Sequence, residues 1–132
     1  MIVAEKAAVL LVDDDQDVLD ALAELLRDEG FEVAEAHNGR EALDLLRGAA
    51  QPALILLDLM MPVMSGLEFL ERKSRDPALA PIPVVIISGI SIDMPGDLPI
   101  IRKPFEPDGV LEAVRVHIGM RSRSQTNRDC GA

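Results

Sequence analysis

The amino-acid sequence predicts an α/β protein with a doubly wound parallel sheet, and three observations carry that prediction. Apolar runs and amphipathic segments alternate along the chain from Ala8 to Ile118. Such an alternation packs helices on both faces of one sheet through right-handed crossovers. The run ALILL, residues 53–57, is apolar at every position, as a strand covered on both faces must be. Finally, Asp13 and Asp14, Asp58, Ser88 and Lys103 each follow an apolar run, and sheets of this kind bind ligands at the carboxyl ends of their strands.

Residues 8–12 form the first strand, after which Asp13-Asp14-Asp15 opens a helix with Val18, Leu19, Leu22, Leu25 and Leu26 at helical spacing. Asp15 is suited to cap that helix, and Arg27 and Gly30 close it as a last-turn cation and a C-terminal glycine. Residues 31–36 are a shorter strand, His37-Asn38-Gly39 a turn, and residues 40–47 a helix with Ala42, Leu43 and Leu46 inward and Gly48 as its stop. The third strand ends before Asp58, and the loop LMMPVMSG leads to a helix from about Ser65 to Arg75. Residues 84–87 and 100–102 are the fourth and fifth strands. Pro107 sits where a first helical turn tolerates proline, and Val110, Leu111, Val114 and Ile118 form the inward face of the last helix. RSRSQTNRDCGA, residues 121–132, is polar and unpatterned and predicts a disordered tail beyond one domain over residues 1–120.

Composition narrows the function classes. A chain of 132 residues is one domain, large enough to bury roughly two-thirds of its unfolded surface, so folding needs neither a metal nor a disulfide. A net charge of −10 argues against direct nucleic-acid binding, which neutralises phosphates with clustered Lys and Arg. No apolar stretch approaches the ~18 residues of a membrane span, and no basic leader precedes the first strand. Cys130 is the only cysteine, which excludes an intramolecular disulfide and suits a reducing compartment. A cytoplasmic location with no membrane contact is the expectation, with proteins, metals or small phosphodonors as partners.

Each candidate site residue has a plainer reading too. An Asp after a strand serves in a turn, a Ser bonds locally, a lone Lys is solvated surface, and Asp15 caps its helix. His37 reads as a surface turn and His117 as a helix face. The five others stand out because all fall at one end of successive strands. That holds only if the fourth and fifth strands are parallel, since a hairpin would put Lys103 at the opposite edge from Asp58. The connection Gly89 to Pro99, GISIDMPGDLP, is short for a crossover. Its eleven residues nevertheless reach roughly 36 Å, against a strand length of ~17 Å. Parallel pairing is therefore expected, with Lys103-Pro104 turning the chain at the end of the fifth strand.

VLLVDDDQD, LILLDLMMPVMSGLEFL, VVIISG and IIRKPF resemble, in order, the motifs of the response regulator receiver domain, the phosphoacceptor module of two-component signalling. The resemblance covers about residues 7–119. It implies a flavodoxin-like five-stranded sheet with strand order 2-1-3-4-5. It further implies that Asp58 takes a phosphoryl group from a histidine kinase or a histidine phosphotransfer protein. Asp14 would bind Mg²⁺ directly, Asp13 largely through water, and Asp58 and the backbone carbonyl of Met60 would complete the metal set. Ser88, the Gly89 N–H and Lys103 would contact phosphoryl oxygens. Met60 and Ile90 would flank the path of attacking water, and as apolar residues they imply slow loss of phosphate. Phosphorylation and dephosphorylation would be self-catalysed without turnover of a separate substrate. Output would pass to a downstream protein target, and pairing through the fourth helix, fifth strand and fifth helix would give a homodimer.

The chemistry supports these roles. A carboxylate attacks phosphorus only when ionised, and the product is an acyl phosphate. Neighbouring carboxylates oppose it, each like-charge pair at about 4 Å costing roughly 4 kcal/mol at an effective dielectric near 20. A divalent cation is needed to admit a phosphoryl dianion, and Mg²⁺ suits one or two carboxylates, waters and substrate oxygens. Lys103 as a point charge and Ser88 as a donor complete the charge neutralisation.

The departures from the pattern lie between Ser88 and Lys103. Receivers place a full helix there, whereas this connection is shorter by roughly two turns, so that helix is expected to be missing or reduced to a turn. The aromatic residue that receivers commonly carry three positions before the lysine is here Ile100. A pseudo-receiver, keeping the fold as a constitutive interaction module, is the alternative these departures favour. A haloacid-dehalogenase-like phosphatase fits less well, since Met60 stands where that class has a second Asp. A flavin-binding role fits least, with no Tyr or Trp to stack on the ring.

Overall fold

The computed structural model describes residues 8–48, 51–59, 64–89 and 98–130, from 119 onward in backbone course only. Among the described residues, five strands and four helices follow one another as β1 Ala8–Val12, α1 Gln16–Asp28, β2 Glu32–Ala36, α2 Gly39–Gly48, β3 Leu54–Asp58, α3 Gly66–Arg75, β4 Val84–Ser88, β5 Ile100–Arg102 and α4 Pro107–Cys130. The sheet order is β2-β1-β3-β4-β5, and every pairing is parallel. Ile86 to Ser88 pair with Ile100 to Arg102, so the short connection does return the chain along the sheet. The connection itself, residues 90–97, lies outside the described residues; among the described ones no helix stands between β4 and β5.

Period-two side-chain alternation divides the apolar strands between two cores. Leu10, Val12, Ile55, Leu57, Val84 and Ile86 pack with Leu43 and Leu46 of α2 and Phe69 of α3. Val9, Leu11, Leu54, Leu56, Val85 and Ile87 pack with Leu19, Leu22 and Leu26 of α1 and Val110 and Val114 of α4. β1, β3 and β4 are covered on both sides and almost wholly buried, while β2 and β5 at the edges are half exposed.

The helix ends follow the local chemistry. Asp15 caps α1, its carboxylate accepting from the Asp17 N–H at 2.9 Å. Gly30 ends α1 at φ 92°, a left-handed conformation that favours glycine, with Gly30 N–H donating to Arg27 and Phe31 N–H to Leu26. Ser65 and Glu68 form a capping box at α3. Helix α4 differs from expectation: it continues to Cys130, through residues read as an unpatterned tail. The loss of apolar periodicity after Ile118 concerns burial, whereas a helix ends at stop residues, and residues 121–130 contain neither Gly nor Pro.

Lys73 is buried on α3, its Nζ donating to the Ala80 carbonyl at 2.9 Å. Burial lowers its pKa from the usual 10.5, because desolvation penalises the ammonium. The unfolded chain then binds more protons than the folded one as pH climbs toward 10.5, so this residue makes stability rise with pH in that window. Denaturant midpoints of Lys73→Met should show a smaller alkaline rise than those of the parent; equal rises would contradict the assignment.

Candidate functional site

The sheet delivers Asp13 after β1, Asp58 at the end of β3, Ser88 at the end of β4 and Lys103 after β5 to one edge. Asp13, Asp58 and Ser88 are buried, at 3, 5 and 1% exposure, although all three are polar. Polar groups at that depth require partners. Lys103 Nζ donates to Asp13 Oδ2 at 3.1 Å and lies 3.8 Å from Asp58 Oδ1. The other Asp13 oxygen, Oδ1, accepts from the Asp15 N–H at 2.9 Å. The Lys103 backbone N–H donates to the Ser88 carbonyl at 2.8 Å, which fixes the lysine beside the β4 terminus, and the Lys103–Pro104 bond is cis.

Asp14 is exposed, and it joins Asp13 and Asp58 in a cluster whose oxygens lie within 4.8 Å of one another. Three carboxylates at that spacing can hold a metal ion, and a set of hard oxygen donors suits a small divalent cation. The cluster therefore brings together the three side chains expected to surround a metal, with the one ammonium expected to oppose them. Met60 and Ile90, expected at the metal and beside the path of water, lie outside the described residues. At Gly89 an added Cβ would meet only Lys103 Cβ at 4.0 Å, so no close packing demands a glycine there. Ile100, three positions before Lys103, is 38% exposed.

Two features of the site were not apparent from spacing. Gly66 begins α3 with its N–H on the Leu59 carbonyl, and a Cβ built on it would stand 2.8 Å from the Asp58 carbonyl oxygen. A glycine in the first turn of a helix, where it costs propensity, was the available signal. The second is a polar chain on the rim: His37 bonds through Nδ1 to Glu41 at 2.9 Å and through Nε2 to Gln16 at 2.7 Å. Nothing in the sequence relates positions 16 and 37.

A parallel sheet in this order, with acidic residues after β1 and at the end of β3 and a lysine after β5, defines the class of a phosphoacceptor signalling module. The response regulator receiver domain family matches residues 9–115, and the chain belongs to that family. It is 34% identical to the response regulator Rre1 of Synechocystis sp. over 98% of this chain and 58% of that protein. It is 34% identical to the transcriptional regulatory protein CpxR of Escherichia coli over 94% of this chain and 55% of that protein. The chain thus spans little more than half the length of these curated relatives, whereas it aligns with 96% of the polar-differentiation response regulator DivK of Brucella anthropi at 31% identity. Among solved structures, the chemotaxis protein CheY4 of Vibrio cholerae superposes with TM-score 0.76 at 29% identity, covering 84% of this chain and 98% of that one. No helix among the described residues is long and apolar enough to cross a membrane.

Proposed function

We propose that Asp58 is the phosphoacceptor of this receiver and takes its phosphoryl group from a phosphohistidine on a histidine kinase or histidine phosphotransfer protein. The observation that carries the assignment is the ammonium of Lys103 held 3.1 Å from Asp13 and 3.8 Å from Asp58, at the one edge where buried carboxylates converge. An Asp58 oxygen forms the bond to phosphorus as the phosphorus–nitrogen bond to the donor imidazole breaks, and the imidazole keeps that electron pair. Lys103 then shifts from carboxylate to phosphoryl oxygens, Ser88 donates its hydroxyl, and the Gly89 N–H supplies a further bond. Mg²⁺, held by Asp14, Asp58 and the Met60 carbonyl with Asp13 acting through water, would neutralise the charge that the carboxylates impose on an incoming dianion. The lysine and the Asp15 N–H already occupy both oxygens of Asp13, which favours its indirect part, while the exposed Asp14 is open to a cation. Output passes to a cytoplasmic protein target, and hydrolysis of the acyl phosphate resets the domain.

Incubating the chain with Mg²⁺ and acetyl phosphate should attach one labile phosphoryl group. Borohydride trapping followed by peptide mapping should place the resulting homoserine at position 58. Trapping elsewhere, or no incorporation, would overturn the assignment, and the second result would favour the constitutive interaction module.

A further inference from the structure

Away from the strand-end site, helices α2 and α3 border two adjoining hollows. One, of about 230 Å³, is lined by Arg40, Leu43, Asp44, Arg47, Met64 and Arg72. The other, of about 360 Å³, is lined by Arg47, Arg72, Arg75, Asp76 and Pro77. Arg47 and Arg72 line both, so four arginines border the shallow groove that the two hollows form between α2 and α3, on a chain whose net charge is −10. We propose that this groove binds a small oligophosphate-bearing molecule, the di- or triphosphate chain lying along Arg40, Arg47 and Arg72.

Helix chemistry accounts for part of the cluster. Arg47, Arg72 and Arg75 stand in last turns, where cations offset the helix dipole. Arg40 stands at the opposite end of α2, where a cation is disfavoured. Among the described residues Arg40, Arg47 and Arg72 form no salt bridge, although Arg75 pairs with Glu71 at 3.3 Å and Arg27 and Arg115 also have carboxylate partners. Of the two acidic lining residues, Asp76 is turned to its own loop, accepting from the Ala78 N–H at 2.9 Å.

The lining also selects the ligand. Leu43 and Met64 are already buried, at 2 and 8% exposure, so among the described residues the groove offers no apolar anchor of the kind that carries a protein interface. Affinity must come from charge-assisted, bidentate guanidinium bonds, which phosphate oxygens accept best. A long nucleic-acid backbone would meet repulsion from the rest of the acidic surface, whereas a short phosphate chain stays within about one Debye length, ~8 Å, of the arginines.

Titrating tripolyphosphate into the intact chain by calorimetry, with EDTA present to keep divalent cations from the acidic cluster, should give saturable one-to-one binding. Arg47→Ala/Arg72→Ala should weaken it about tenfold or more, with an unchanged melting temperature as the check on folding. Arg27→Ala/Arg115→Ala, which removes the same charge elsewhere, should leave affinity within about twofold. Absence of saturation, equal losses in the two double variants, or tighter binding of a poly-aspartate peptide than of tripolyphosphate would overturn the proposal. It stands apart from the assignment of Asp58, because neither the metal nor the strand-end site takes part in the measurement.

Discussion

Asp58→Asn is expected to abolish phosphoryl incorporation and, in the absence of divalent cations, to raise the melting temperature. The two effects share one cause. Asp13, Asp14 and Asp58 present oxygens within 4.8 Å of one another, and at that distance each like-charge pair costs about 3 kcal/mol at an effective dielectric near 20. Lys103, 3.8 Å from Asp58, returns about 4 kcal/mol on the same scale. The exposure of Asp14 discounts its share further. Removing the charge of Asp58 therefore relieves at most about 2 kcal/mol, or no more than roughly 6 °C for a domain of this size. Asparagine fills the same volume, so the buried packing around β3 is kept. Adding Mg²⁺ should reverse the ranking, since the parent loses its repulsion to the ion and the variant has less to lose. Thermal melts of both proteins with EDTA and with Mg²⁺ make the comparison. A variant less stable than the parent in EDTA would show that the three carboxylates do not strain the fold as argued, and retained incorporation would displace the nucleophile from position 58.

Much of this arrangement was legible in the sequence because it rests on short-range rules. An uninterrupted apolar run such as LILL has no solvent-facing side, so β3 had to be central, and Asp58 had to follow it to the ligand-binding edge. The parallel pairing of β5 followed from a chain-length argument together with the need to bring Lys103 to Asp58, and Ile86–Ile100 pairing bears it out. What escaped depends on distances between remote positions or on the difference between burial and backbone. The run of α4 to Cys130 obeys helix-stop chemistry that an apolar-periodicity reading overlooks. The bridge from His37 to Gln16 joins β2–α2 and β1–α1 turns that only the sheet order makes neighbours. The arginines of the α2–α3 groove come from two separate helices, and each alone reads as a solvated surface charge.

Gly66→Ala should be the most damaging single methyl group that can be added to the chain's described glycines. In an exposed helical position the same change stabilises by about 0.5–1 kcal/mol through helix propensity and the smaller entropy of the unfolded chain. At Gly66 the new Cβ would lie 2.7 Å from Leu59 Cα, 2.8 Å from the Asp58 carbonyl oxygen and 2.9 Å from Leu59 Cδ2. Two of those atoms are backbone and cannot rotate away. Either α3 lifts from the sheet, breaking the Gly66 N–H bond to the Leu59 carbonyl, or the end of β3 moves and takes Asp58 with it. Overpacking of this kind costs about 1–3 kcal/mol, and a displacement near 1 Å at the proposed nucleophile costs about a hundredfold in rate. Gly109→Ala is the internal comparison, because a Cβ there meets nothing within 4 Å and should stabilise. Denaturant melts and initial rates of acetyl phosphate incorporation on the two variants should therefore diverge in sign for stability and in magnitude for rate. If Gly66→Ala melted and reacted like Gly109→Ala, the backbone contact between α3 and the carbonyl of Asp58 would not be what positions that carboxylate.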